Sequence, residues 1–194
     1  MEPITTGRVY LWFDTEFTDL NPDISHLLQV ALVATDARMQ RLVPPEDDLN
    51  LIVQLEDDAY LSPWVKDNLA PLLGRCRSDE AVGVAEVDRQ LAAYVDRVAG
   101  PVSDAVNRRP VLAGNSVYAD LVMAKKWLPE FARRLHYRLL DVSTLKTLWE
   151  DTGGETFDKD DALLMREYFP GDSADFSGKP HDADYDILAS MAEL

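Results

Sequence analysis

Three apolar runs of strand length, residues 9–13, 27–34 and 49–55, follow one another within the first 55 residues. Connections this short suit neighbouring antiparallel strands, so the chain is expected to open with an antiparallel sheet. Pro44-Pro45 and the acidic stretch Glu46-Asp47-Asp48 supply the turn before the third run. The period then changes. Val84, Val87, Leu91, Tyr94, Val95 and Val98 recur at helical spacing. Ser78 with Asp79 and Glu80 reads as the start of that helix, and Gly100-Pro101 as its stop. Residues 111–113 form a short strand delivering Gly114-Asn115-Ser116, followed by a helix over 117–128 that breaks near Pro129. A strand over 139–142 leads to a helix capped by Ser143 and running through Trp149. The pattern predicts an α/β fold, a mixed central sheet flanked by helices, in one domain spanning 1–194. A long loop over 151–180, rich in Gly, Asp and Ser with a helix around 162–168, stands apart from it.

No apolar run approaches the roughly 20 residues of a membrane span, and the first residues lack a basic-then-apolar leader, so neither membrane insertion nor export is expected. Cys76 is the single cysteine; it excludes an internal disulfide and fits a reducing, cytoplasmic setting. The net charge of −16 excludes attraction of a long polyanion by the average field. A nucleic-acid partner must therefore be short, or be held by cations and a local basic patch. Six of the 19 Lys and Arg residues fall between Lys125 and Lys146 and are the candidates for that patch.

Asp14 and Glu16 are two residues apart at the end of the first apolar run, which puts both carboxylates on one face of a strand. Two carboxylates so placed repel each other unless a cation lies between them. Asp120 sits early in the 117–128 helix, where the helix dipole alone accounts for a carboxylate. His181 and Asp186 open the last helical stretch, and five residues leave them about 140° apart on a helix. If both serve one site, His181 must lie in the loop before the helix and fold back, a turn that Pro180 favours. Asp182 or Asp184 then serves the helix start. Four carboxylates and one imidazole are the inventory for holding two hard divalent cations and deprotonating a water beside them.

Three motifs carry a family resemblance: Trp12-Phe13-Asp14-Thr15-Glu16-Phe17-Thr18-Asp19-Leu20, Gly114-Asn115-Ser116-Val117-Tyr118-Ala119-Asp120 continued by the 136–146 stretch, and His181-Asp182-Ala183-Asp184-Tyr185-Asp186. In this order the chain resembles the DEDDh branch of 3′-to-5′ exonucleases, and within it the oligoribonucleases. The resemblance implies a ribonuclease H-like fold. It implies two Mg²⁺ or Mn²⁺ ions, with Asp14 bridging them, Glu16 and Asp186 completing the ion that holds the attacking water, and Asp120 supporting the second through water. His181 would take the proton, a role suited to a side chain that titrates near neutrality. The resemblance further implies Leu20 and Trp64 as base-wedging and base-stacking residues, and Tyr137 as a substrate contact. Ser116, Arg138 and Ser143 would cap a 5′ phosphate. Tyr137 and Arg138 would come from a neighbouring subunit, making the protein a homodimer. The expected activity is hydrolysis of RNA of two to five nucleotides to 5′-mononucleotides. A general exonuclease acting on longer single-stranded RNA or DNA ends, and a dimeric binding module without turnover, are the competing readings. Asp19 stands where the family usually has glycine, so a left-handed turn is expected there.

Overall fold

The computed structural model describes residue 4 and residues 7–158, 161–169 and 181–194, with side chains of 162–164 left aside. Five strands form one sheet in the order β3-β2-β1-β4-β5: β1 (Tyr10–Phe17), β2 (Leu27–Thr35), β3 (Leu49–Ile52), β4 (Val111–Gly114) and β5 (Leu139–Asp141). β1 to β3 are antiparallel, as their short connections require, whereas β4 and β5 run parallel to β1. The helices are α1 (Pro63–Asn68), α2 (Ala70–Arg75), α3 (Val84–Ala99), α4 (Tyr118–Trp127), α5 (Pro129–Ala132), α6 (Val142–Asp151), α7 (Ala162–Tyr168) and α8 (Ala183–Glu193). This is the expected mixed α/β sheet with flanking helices. Among the described residues no helix is long and apolar enough to cross a membrane.

The two faces of β1 bury different partners. Val9, Leu11 and Phe13 pack with α3, α4 and α5, the Phe13 ring lying 4.9 Å from that of Phe131. Trp12, one residue out of phase, packs with Ile187, Leu188 and Met191 of α8, and its Nε1 donates to Thr35 Oγ1 at 3.0 Å. β2, buried along its whole length, is sandwiched between these layers. Burying side chains of this size stabilises the sheet by about 1.5–3 kcal/mol each. α5 is held by a carboxylate from another helix: buried Asp88 on α3 accepts from the Glu130 and Phe131 amides at 3.0 and 2.8 Å.

Several local expectations are corrected. β1 extends beyond the apolar run 9–13 through Phe17, because β2 keeps pairing with it that far. Ser78 caps no helix. Val82 is held extended by Ile52, so α3 starts only after Gly83, and Ser78 closes the turn behind α2 instead. The cap of α6 is Asp141, whose carboxylate accepts from the Ser143 amide at 3.0 Å. α1 and α2 are further elements, and Ser62 caps α1. The helix expected around 162–168 forms, while Pro180 and much of the expected 151–180 loop lie outside the described residues.

Candidate active site

Alternation along β1 puts Asp14 and Glu16 on the same face as Trp12, the face covered by α8. Both carboxylates are half-buried. Opposite Glu16 and Phe17 the β2 register shifts by one residue. The extra residue, Leu28, gives its carbonyl to the Val53 amide and the Cys76 thiol instead. The bulge bends the ladder where Glu16 needs to meet α8.

α8 is brought to that point by one buried amide. Gln29, the β2 partner of Glu16, donates from Nε2 to Asp182 Oδ1 at 2.9 Å and to Asn50 Oδ1 at 2.9 Å, while its Oε1 accepts from the Ala183 amide. Asp182 is the N-cap of α8 and also accepts from the Asp184 amide. His181 precedes it at φ 72°, folded back so that its amide donates to Asp186 Oδ2 at 2.9 Å. A left-handed histidine is an uncommon backbone choice, and here it closes the five-residue gap that a helix would have left open. As a result Glu16, His181 and Asp186 each present a ligand atom within 4.8 Å of the others.

Asp120 and Asp14 stand outside that cluster. Pairing of β1 with β4 stops at Trp12 and Ala113, which leaves the Thr15 amide facing no strand on that side. Asp120 takes its place: its Oδ1 accepts from the Thr15 amide at 2.9 Å and from Thr15 Oγ1 at 2.7 Å. Burial pushes the Asp120 carboxyl up to about 6, against the opposing effect of the two Thr15 hydrogen bonds; the nearby Asp141 charge adds to the rise. Thr15 therefore ties the second motif to the first. Neither Thr15 nor Gln29 was among the residues the sequence singled out, although a glutamine within an otherwise apolar strand is a visible signal.

A cleft of about 660 Å³ opens beside the cluster, lined by Glu16 and His181 and walled by Leu20 and Trp64. Leu20 is 89% exposed and Trp64 48% exposed, unusual for side chains of this kind without a partner to cover. The Trp64 ring meets His181 edge-on at 5.0 Å. Asp19 needs no left-handed backbone; its carboxylate accepts from the Asn21 amide at 2.7 Å and forms the turn that way. The Leu20 loop is fastened to α4 by Lys126, whose ammonium donates to the Pro22, Asp23 and Ser25 carbonyls at 2.6, 3.1 and 3.0 Å.

Ser116 and Ser143 meet at the ends of β4 and β5. The Ser116 amide donates to Ser143 Oγ at 2.9 Å and Asp141 Oδ1 at 3.1 Å, and the hydroxyls lie 3.2 Å apart. Gly114 allows this, because a Cβ there would come within 2.9 Å of the Phe13 carbonyl. Tyr137 and Arg138 are elsewhere: both are exposed and precede β5, about 10 Å of strand from Asp141. The basic run is no single patch. Arg133 pairs with Glu130, Arg134 with Asp96, Lys146 with Glu193, and Lys126 is spent on carbonyls.

Residues 11–194 match the family model RNase T, described as exonuclease. The chain belongs to the RNase T exonuclease family. Members of this family are 3′-to-5′ exonucleases that use divalent metals. The chain is 30% identical over 188 residues to a probable oligoribonuclease of Schizosaccharomyces pombe, covering 95% of this chain and 65% of that protein. It is 29% identical to an oligoribonuclease of Idiomarina loihiensis, covering 95% and 89%, and 31% identical to one of Pseudoalteromonas atlantica, covering 77% and 81%. A product-bound exonuclease I shares the fold at a TM-score of 0.64 and 14% identity, over 96% of this chain and 42% of that one. The chain thus spans about two thirds of the first relative and less than half of exonuclease I.

Proposed function

We propose that this RNase T family member is an oligoribonuclease, hydrolysing RNA of two to five nucleotides from the 3′ end to 5′-mononucleotides. The observation that carries the reading is the convergence of Glu16, His181 and Asp186 within 4.8 Å beside a cleft walled by Leu20 and Trp64. The volume, about 660 Å³, suits a ligand of a few nucleotides at most within the cleft itself. Relatives named oligoribonuclease align over 95% of the chain, which supports the same choice.

The donor set fits hard divalent cations, since Asp14, Glu16 and Asp186 offer carboxylate oxygens and no thiolate. Asp14, Glu16 and Asp186 would hold two ions, with Asp120 backing the second. When bound, such ions make a water nucleophilic and stabilise charge on the reacting phosphate. The chain itself supplies the rest. His181 takes the proton of the attacking water, its loop held by Asp186 and its ring by the edge contact with Trp64. Leu20 and Trp64 seat the bases without reading them, because every base offers a stacking face. Ser116 and Ser143 offer hydroxyls toward a 5′ phosphate. By the family resemblance, Arg138, with its two-pronged geometry for phosphate, and Tyr137 would be contributed by a second copy, making the active form a homodimer; their place before β5, with Ser143 beyond its far end, is compatible with that.

The test is a Mn²⁺-dependent time course on a 5′-phosphorylated RNA dinucleotide and a 20-mer, run beside the Asp14→Ala protein. Rapid loss of the dinucleotide, slow loss of the 20-mer and no activity in the variant are expected. Equal processing of both substrates would move the protein to the general exonuclease class. Retained activity in Asp14→Ala would sink the site assignment.

A further inference from the structure

We propose that a second cleft, at the end of the sheet remote from the carboxylates, binds a small phosphorylated ligand of the mononucleotide class. β1, β4 and β5 are parallel and begin at the same end, Tyr10 facing Val111 and Leu112 facing Leu139. The residues leading into them bring Arg8, Arg108, Arg109 and Arg138 to that end, while Glu16, Asp120 and Asp141 occupy the other. A cleft of about 730 Å³ opens among the leading segments and α3. Arg8, Arg108, Arg109 and Arg134 are four of its 14 lining residues, and none of the 14 is acidic. In a chain with 35 acids against 19 lysines and arginines, this is a pronounced segregation of charge.

The four guanidinium groups are not equivalent. Arg134 is locked to Asp96 by two hydrogen bonds of 2.8 and 2.7 Å. Arg109 donates to the Ser103 and Arg133 carbonyls at 2.8 and 3.0 Å. Those two build the wall. Arg8 and Arg108 are exposed and make no ion pair among the described residues, so their forks remain to bind an anion. The Arg8 charge reaches His136, whose pKa is lowered first by burial and then by Arg8 and Arg138. Pro101 and Val102, both exposed, supply an apolar surface beside the charges. Guanidinium forks match phosphate oxygens in pairs, and an apolar wall covers an uncharged body of the size such a volume admits.

The proposal does not depend on the oligoribonuclease reading, and its test keeps the two apart. Binding of 5′-AMP and of inorganic phosphate is measured by calorimetry on the full chain in EDTA, which disfavours the carboxylate site. Expected is AMP binding that Arg8→Ala/Arg108→Ala weakens about tenfold or more and Trp64→Ala leaves intact. Higher salt weakens it, and Arg8→Lys/Arg108→Lys restores it in part. No binding at millimolar AMP, or loss in Trp64→Ala but not in the arginine variant, overturns the proposal. Equal affinity for phosphate overturns the mononucleotide class. A change in the oligomeric state of the arginine variant on gel filtration also overturns it, since the pair would then serve an interface.

Discussion

Asp120→Asn will make the metal-free protein more stable while removing its activity. The Asp120 carboxyl is buried, and its pKa rises from an ordinary 3.8 to about 6 chiefly because burial penalises the charge. At roughly 1.4 kcal/mol per unit, the ionised carboxylate costs at most about 3 kcal/mol of folding free energy. Asparagine keeps an oxygen for the Thr15 amide and hydroxyl but carries no charge, so it escapes that cost. The sign in pH follows from linkage. Below about pH 4 the carboxyl is protonated in both folded and unfolded chains and the two proteins match; between 4 and 6 only the unfolded chain ionises, so the wild type falls behind; above 6 the difference is complete. For a chain of this size the full difference is at most about 6–12 °C in Tm. Thermal unfolding of both proteins in EDTA from pH 4 to 8 reads it directly. Added Mn²⁺ should then raise the wild type more than the variant, because a cation that binds the folded state stabilises it by mass action. A variant less stable than wild type in EDTA at pH 7.5 would refute the reasoning, since it would mean that the Thr15 hydrogen bonds outweigh the burial.

Asp88→Ala leaves the Glu130 and Phe131 amides without their acceptor and should destabilise the fold by about 3 kcal/mol, read from urea denaturation; an unchanged midpoint would show the α5 cap to be dispensable. The Cys76 thiol is fully buried, donates to the Leu28 carbonyl at 3.2 Å and is pushed up to about 11 by burial. At pH 8 roughly one thiol in a thousand is then ionised, so labelling by a thiol reagent should track unfolding, and fast labelling of native protein would contradict that burial. Lys126→Met frees the Leu20 loop from three carbonyl contacts. It should raise KM for a dinucleotide about fivefold, the equivalent of about 1 kcal/mol, with kcat little changed and faster amide exchange over residues 19–25. An unchanged KM would separate the loop from substrate binding.

What the sequence disclosed depended on whether the governing contact was local. β2 and α3 were legible because burial along a whole strand, or one face of a four-turn helix, writes its own period into the chain. α1 and α2 were not, each being six residues long with a proline at its start, too short to show a period. The end of β1 was hidden for a related reason: Asp14, Thr15 and Glu16 are polar, yet they stay in the ladder because β2 pairs with them. Asp14 and Glu16 stood out by spacing and Asp120 only through the family resemblance, while the fold-back needed to join His181 to Asp186 could be foreseen from helix geometry. The basic run could not be judged in the same way, since Asp96 and Glu193, which neutralise two of its members, come from other elements.

The same distinction explains where the site lies. β1 keeps its β2 neighbour through Phe17 but loses its β4 neighbour after Trp12. Over those last residues one edge of the central strand is bare, and a buried amide without an acceptor is costly. Asp120 fills the gap at Thr15, and in doing so it fixes the backbone between Asp14 and Glu16. On the other edge the bulge at Leu28 and the Gln29 amide bring the start of α8 against Glu16. The carboxylates are held in place by the contacts that replace strand pairing where the sheet opens. The backbone beneath Asp14 and Glu16 is thus pinned by β2 on one edge and by the Asp120 side chain on the other.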